Sequence, residues 1–288
     1  MSNQRRARIL GAAVLLAICA CSEEQDHVLD PGGTTQLDPD VTPIVQGNWK
    51  RVSLQATWQW QLQGTINTTH NADVYDLDLF ETPAAVITAL RMRGVLFLCY
   101  FSAGSAETRA PDYSRFPANA MGRQLDGYPN ERWLDIRRRD VFDIMIARLD
   151  LAVQRGCDGV EPDNVTGYNN NTGFGLTARD QLAFNRNLAN EAHRRGLFIA
   201  LKNDGEQAAQ LVDYFDLELN EECHEYDECD TLRVFSERGK PILNAEYASS
   251  LSAANNLART VCPRARAAQI RTLILHKDLD DRFRVNCF

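Results

Sequence analysis

Carboxylates recur in this chain at the ends of short apolar runs, where a buried strand has no structural need of them. In "GCDGVEPDNVTGY", residues 156–168, Glu161 and Asp163 stand two apart after an apolar step, and Asn164 follows. "VYDLDLF" carries Asp76 and Asp78, with Glu81 just beyond, and "LFLCYF" contains Tyr100 and runs on to Glu107 and Arg109. "LFIAL" leads into Lys202, Asn203 and Asp204, "DLELN" into Glu221 and Glu222, and "ILNAEY" ends in Glu246 and Tyr247. Acids gathered at one end of several strands repel one another, which is unfavourable unless the repulsion serves a purpose. Two carboxyls at a fixed separation can divide the work of cleaving a glycosidic bond, one protonating the leaving oxygen and the other attacking or activating water. Trp58, Trp60, Tyr75, Tyr100 and Tyr168 lie near the same runs and offer flat faces to sugar rings.

Taken singly, these residues have plainer readings. Trp58 and Trp60 suit core packing, and Asp204 suits a helix N-cap. Lys202 suits an ion pair with a neighbouring carboxylate, and Glu161 and Asp163 suit pairs with Arg155 or Arg179. Five or six strands ending independently in acids is what favours a site.

Such a site needs a scaffold that brings strand ends together. Short apolar runs alternate with amphipathic ones from residue 50 onward, the pattern of βα units around a parallel sheet. Strands are predicted at 57–62, 73–80, 95–101, 159–161, 197–201, 216–220, 242–247 and 272–276. Helices are predicted at Pro83–Arg93 with Thr82 as cap, at Asp140–Arg155 and at Thr177–Arg195, with shorter ones at 206–213, 230–238 and 251–260. Eight strands with helices between them predict an α/β (β/α)8 TIM barrel, whose sites form at the carboxyl ends of the strands. A doubly wound open sheet is the alternative, though no GxGxxG or P-loop follows any strand.

The N-terminus reads as a processing segment. Arg5, Arg6 and Arg8 precede an apolar run too short to span a bilayer, and Ile18-Cys19-Ala20-Cys21 is similar to a bacterial lipobox. The expected division is a signal peptide over 1–20, a lipid anchor on Cys21, a Pro- and Asp-rich tether over 21–47, and a catalytic domain over 48–288. An ordinary cleaved secretion signal is the other reading. Removing Cys19 and lipidating Cys21 leaves six cysteines in an oxidising compartment. Cys223 with Cys229 and Cys262 with Cys287 are the expected pairs. Cys99 with Cys157 remains, although one lies late in a strand and the other before one, a height difference that strains disulfide geometry. No CxxC or HExxH frame is present, so neither metal nor cofactor is expected. The net charge is −8, and no basic stripe with interleaved aromatics appears, so nucleic acid is not an expected partner.

"WQWQLQG", "VYDLDLF", "CYFSAGSAETR", "GYPNERWLDIR", "GCDGVEPDNVTGY", "TGFGLTARDQLAFNRNLA", "LKND" and "NEECHEYDEC" occur in that order. Together they resemble glycoside-hydrolase family 114, the endo-α-1,4-polygalactosaminidase-like barrels. The resemblance implies a TIM barrel acting outside the cell on galactosamine-containing polysaccharide. It also implies that Asp163 of "EPDN" and Glu221 of "NEEC" form the catalytic pair. Trp60, Asp76, Asp78, Tyr100, Glu107, Arg109, Glu161, Asn164, Lys202, Asn203, Glu246 and Tyr247 are the expected substrate contacts. The membrane is expected to be touched only through the lipid anchor, and the chain to act as a monomer. A sugar-binding surface lipoprotein without activity is the reading from another class, and intact Asp163 and Glu221 speak against it.

Overall fold

The computed structural model describes residues 37–288, so the predicted signal peptide and Cys21 lie outside the described residues. Each of the eight expected strands is present: β1 (Trp58–Gln61), β2 (Val74–Asp78), β3 (Leu96–Ser102), β7 (Gly159–Asp163), β8 (Phe198–Lys202), β9 (Leu217–Glu221), β10 (Ile242–Tyr247) and β11 (Arg271–Leu275). They pair in parallel and in chain order. A doubly wound sheet reverses its order at a switch point, and this one does not.

Period-two alternation gives the sheet two buried faces. Tyr75, Leu77, Phe97, Phe101, Val160, Ile199 and Leu201 point outward into a core shared with helices α1 (Ala84–Met92), α2 (Arg139–Arg155) and α3 (Ala178–Arg194). Trp58, Val74, Leu98, Phe198, Leu217, Leu243 and Leu273 pack together on the other face. Laid flat, β1 and β11 would sit roughly 30 Å apart. Instead the Trp58 Nε1–H donates to the Arg271 carbonyl at 2.7 Å, so the sheet is curled until its edges meet.

At that seam the sheet does not close on itself through its backbone: no backbone ladder joins β1 to β11 among the described residues. The outer edge of β11 pairs antiparallel with a ninth strand, β12 (Arg284–Asn286). The architecture is a curled mixed sheet of nine strands flanked by helices. Side chains bridge the gap: Arg284 donates to the Trp58 carbonyl at 2.7 Å and Arg271 to the Ala56 carbonyl at 2.9 Å.

A second sheet was not foreseen. Strands β4 (Ser105–Glu107), β5 (Met121–Leu125) and β6 (Tyr128–Leu134) form an antiparallel unit, ordered β4-β6-β5, between β3 and α2. The remaining helices are α4 (Ala208–Leu211), α5 (Arg233–Glu237) and α6 (Leu251–Ala268), the last longer than its predicted span. Thr177 and Asp180 cap α3 reciprocally, whereas Thr82 donates to the Asp78 carbonyl and leaves Pro83 at the cap of α1.

The tether also ends earlier than expected. Residues 37–47 lie along α3, where Asn190 accepts from the Ile44 N–H and donates to the Thr42 carbonyl, both at 2.9 Å. Trp49 then stacks on His193 with ring centroids 4.0 Å apart. All three disulfides form. The doubted pair, Cys99–Cys157, has Cα atoms 6.0 Å apart. The chain turns at Gly156, where φ is 80°, and the Asp158 N–H donates to the Phe97 carbonyl at 2.7 Å, folding Cys157 against β3.

Candidate active site

Inward-facing positions at the carboxyl ends of β7, β8 and β9 build the centre of the site. Glu161 and Asp163 share the inward parity of β7, Lys202 ends β8 and Glu221 ends β9. Below them β7 has Gly159, where a Cβ would lie 2.3 Å from the Phe198 ring that fills the sheet interior. The residue after each strand, Asn164, Asn203 or Glu222, adopts φ near +60°. Such left-handed backbone is strained for a residue with a side chain, and strain of this kind gathers at functional sites.

Lys202 is 1% exposed. Its Nζ lies 2.8 Å from Glu161 Oε1, 3.2 Å from Asp163 Oδ1 and 3.4 Å from Glu221 Oε2, and 4.8 Å from the Trp60 ring centroid. Burial opposes its charge, but the three carboxylates outweigh burial and hold its pKa well above the ordinary lysine value. Lys202 thus takes the ion-pair role its sequence context allowed, in triplicate. Arg155 and Arg179 take no part, bonding instead to the Thr82 carbonyl and Asp40.

Glu221 accepts from the Tyr247 hydroxyl and from Asn203 Nδ2 at 2.8 Å, while its own N–H donates to Asn203 Oδ1 at 2.8 Å. Burial pushes its pKa up, but Lys202, Tyr247 and Asn203 reverse that and leave it below the ordinary glutamate value. Asp163 accepts from the Asn164 N–H at 2.7 Å and the Tyr100 hydroxyl at 3.4 Å. Asn164 is itself fixed by donating to Ser102 Oγ at 2.9 Å.

A cleft of about 580 Å³ opens above this centre. Of the expected contacts it brings together Trp60, Tyr100, Glu107, Arg109, Asp163, Asn164, Lys202, Asn203, Glu221 and Tyr247. Four others do not line it. Asp76 lies beneath, against Glu161, and burial followed by the charge of Glu161 raises its pKa well above the ordinary value. Burial likewise pushes Glu161 up to about 7 despite the pull of Lys202. Asp78 braces the loop, accepting from the Phe80 and Glu81 N–H groups and from Arg109 at 2.9 Å. Glu246 faces away, because Tyr247 points inward and neighbours in a strand alternate. It accepts from the His224 N–H at 2.9 Å and Asn244 at 3.0 Å. Asp204 caps no helix with its side chain; it accepts from Tyr168 at 3.0 Å and Asn185 at 3.1 Å.

Sequence reasoning missed the cleft wall supplied by the small sheet: Leu125, Tyr128 and Glu131. Glu131 accepts from Ser105 Oγ at 2.9 Å, and burial with the nearby Glu107 pushes it up to about 7. Gln63, Gly64 and residues 277–279 close the seam side. Cys223 and Cys229 lie with His224 within 4.8 Å, but their sulfurs are joined, which removes the thiolates that a metal would take.

Residues 39–287 match the model of glycoside-hydrolase family GH114. The chain belongs to that family. This GH114 chain is similar to a solved structure of Ega3 from Aspergillus fumigatus in complex with galactosamine, at 37% identity and a TM-score of 0.77 over 84% of this chain and 100% of that one. The glycoside hydrolase domain of PelA from Pseudomonas aeruginosa shares the fold at 15% identity and a TM-score of 0.64, over 78% of this chain and 96% of that one. No curated protein matches. The GH114 chain is accordingly a glycoside hydrolase.

Proposed function

We propose that this glycoside hydrolase cuts α-1,4-linked galactosamine-containing polysaccharide at internal bonds, with Asp163 and Glu221 as its catalytic pair. One observation carries the reading: a single buried ammonium, Lys202 Nζ, touches both carboxylates from below while both face the cleft. One carboxyl protonates the leaving oxygen as the other meets the anomeric carbon or the attacking water. Lys202 stabilises whichever of the two is ionised at each step. Because one Nζ reaches both, their nearest oxygens are at most as far apart as the two contacts laid end to end. That is the lower edge of the roughly 6.5–9.5 Å of inverting enzymes and in reach of the roughly 5–5.5 Å of retaining ones. Proton NMR of the anomeric configuration of the first product formed distinguishes the two outcomes.

The galactosamine assignment rests on the likeness to Ega3 bound to galactosamine and on six carboxyl groups against three cations in the cleft wall. A polymer of free amines is a polycation, which an acidic cleft attracts. Incubation with defined α-1,4-galactosamine oligomers is the test. Release of shorter oligomers supports an internal cutting pattern, release of monomer alone refutes it, and no release at all refutes the substrate.

Three finer parts belong to the same proposal. The curled sheet functions as a (β/α)8 barrel, its seam bridged by side chains and β12. The chain is exported, which its three disulfides favour because they persist in oxidising compartments. The mature chain begins at a lipidated Cys21; a water-soluble product whose N-terminus lies beyond Cys21 would exclude that.

A further inference from the structure

A second concavity, about 320 Å³, adjoins the cleft on the side of the small sheet. The two share Leu125, Tyr128, Asn164 and Thr166, so the surface runs from one to the other without a break. Its size lies within the range of ordinary small-molecule sites. It is also built to hold its shape. The Arg123 N–H donates to the Thr172 carbonyl at 2.8 Å, and a Cβ on Gly122 would lie 2.1 Å from that same oxygen, so the β5 strand and the loop after β7 are locked in close approach. Asn170 Nδ2 fixes the loop internally by donating to the Thr166 carbonyl at 2.9 Å.

The lining differs in chemistry from the cleft. Carboxyl groups dominate the cleft, whereas the second pocket has one acid, Asp126, and one cation, Arg123. Its other polar side chains are mostly amides, those of Gln124, Asn164, Asn170 and Asn171. An ammonium group brings three donors and a charge, and needs carboxylates around it. An acetamido group is neutral and brings one donor and one acceptor, the complement of a side-chain amide. Tyr128, 53% exposed, stands at the junction with its ring available to a sugar face.

We infer that this pocket is a distal subsite for an N-acetylated hexosamine unit, so that the enzyme engages a free amine in the cleft and an acetamido sugar beside it. The inference rests on the galactosamine reading of the cleft and adds that the polymer it grips is partly acetylated. The pocket selects where along such a polymer the cut falls.

Titration calorimetry on the full chain carrying Glu221→Gln tests it without turnover. The ligands are synthetic α-1,4-galactosamine hexamers, fully deacetylated or bearing one N-acetyl group at either terminal unit. One of the acetylated hexamers is expected to bind at least about fivefold more tightly than the deacetylated one, the return on a single net hydrogen bond. Adding Gln124→Glu and Asn171→Asp should abolish or reverse that preference. In an otherwise wild-type chain the same two substitutions should leave cleavage of a deacetylated trimer unchanged. Equal binding of all hexamers, or a preference that survives the two substitutions, overturns the inference. Preferential binding without any cleavage by the wild-type chain refutes the hydrolytic reading and leaves the pocket standing. Cleavage without preference does the reverse, and no binding of any hexamer removes both.

Discussion

Without Lys202, the carboxylates of Glu161, Asp163 and Glu221 would face one another with no cation at their centre. Lys202→Met is therefore expected to abolish turnover and to destabilise the fold by about 3–5 kcal/mol, the usual loss when one partner of a buried ion cluster is removed. Thermal unfolding beside an activity assay checks both. Asp163→Asn and Glu221→Gln should separate the two effects, since in each variant Lys202 keeps Glu161 at 2.8 Å and one further carboxylate. Turnover should fall about 10²- to 10⁴-fold with the melting temperature close to wild type. Near wild-type turnover in either variant takes that residue out of the mechanism. Glu218 makes a different case. It is fully buried on the outward face of β9, and both of its oxygens lack partners. Burial raises its pKa well above the ordinary value, Asp204 and Glu228 add to the rise, and Lys202 opposes it. A carboxyl whose folded pKa is raised stabilises the fold below the ordinary glutamate range, and that contribution is lost as pH climbs through the raised value. Glu218→Gln should thus leave the melting temperature almost unchanged at pH 4 and raise it at pH 8; a variant that melts lower at pH 8 refutes the account.

Among the elements, the eight parallel strands were legible because strands buried on both faces read as apolar runs. Where a strand ended in acids, parity could have told more than it was asked. Glu246 and Tyr247 are adjacent in β10, so only one of them could face the cleft. The small sheet was hidden by polar residues on both faces of "GRQLDGYPNERW", which obscure alternation. Yet a signal was present: Asp126-Gly127 is the two-residue connection between β5 and β6, with Gly127 at φ 80°. The strand β12, three residues long, has no periodicity to read. Residues 37–47 passed for tether because Pro and Asp dominate them, and their bonds go to α3, distant in sequence. A chain beginning at residue 48 is expected to melt lower than one beginning at residue 36, by about 2–4 °C for each kcal/mol that the strap contributes. Equal melting of the two in calorimetry would mean that the strap is bound without stabilising.

For the whole molecule, a net charge of −8 and a cleft rich in carboxyl groups would make the encounter with the proposed cationic polymer electrostatic. KM on fully deacetylated substrate should rise as salt goes from about 20 to 500 mM, while kcat changes little, because screening weakens long-range attraction far more than contacts inside the site. The seam between β1 and β11 has a consequence of another kind, in time. β1 precedes what covers its open side by a long stretch of chain, 213 residues from Trp58 to its partner Arg271 and 226 to the arginine of β12. As a chain grows or is threaded across a membrane from its N-terminus, β1 waits with one edge bare until β11 and β12 have arrived. Bare strand edges recruit other chains. The segment from β11 through β12, with Cys287 bonded to Cys262, thus acts as a clasp that shuts only after the strands before it are in place. Losing it would do its harm during biogenesis, as association between unfinished molecules, before any catalytic defect could be measured.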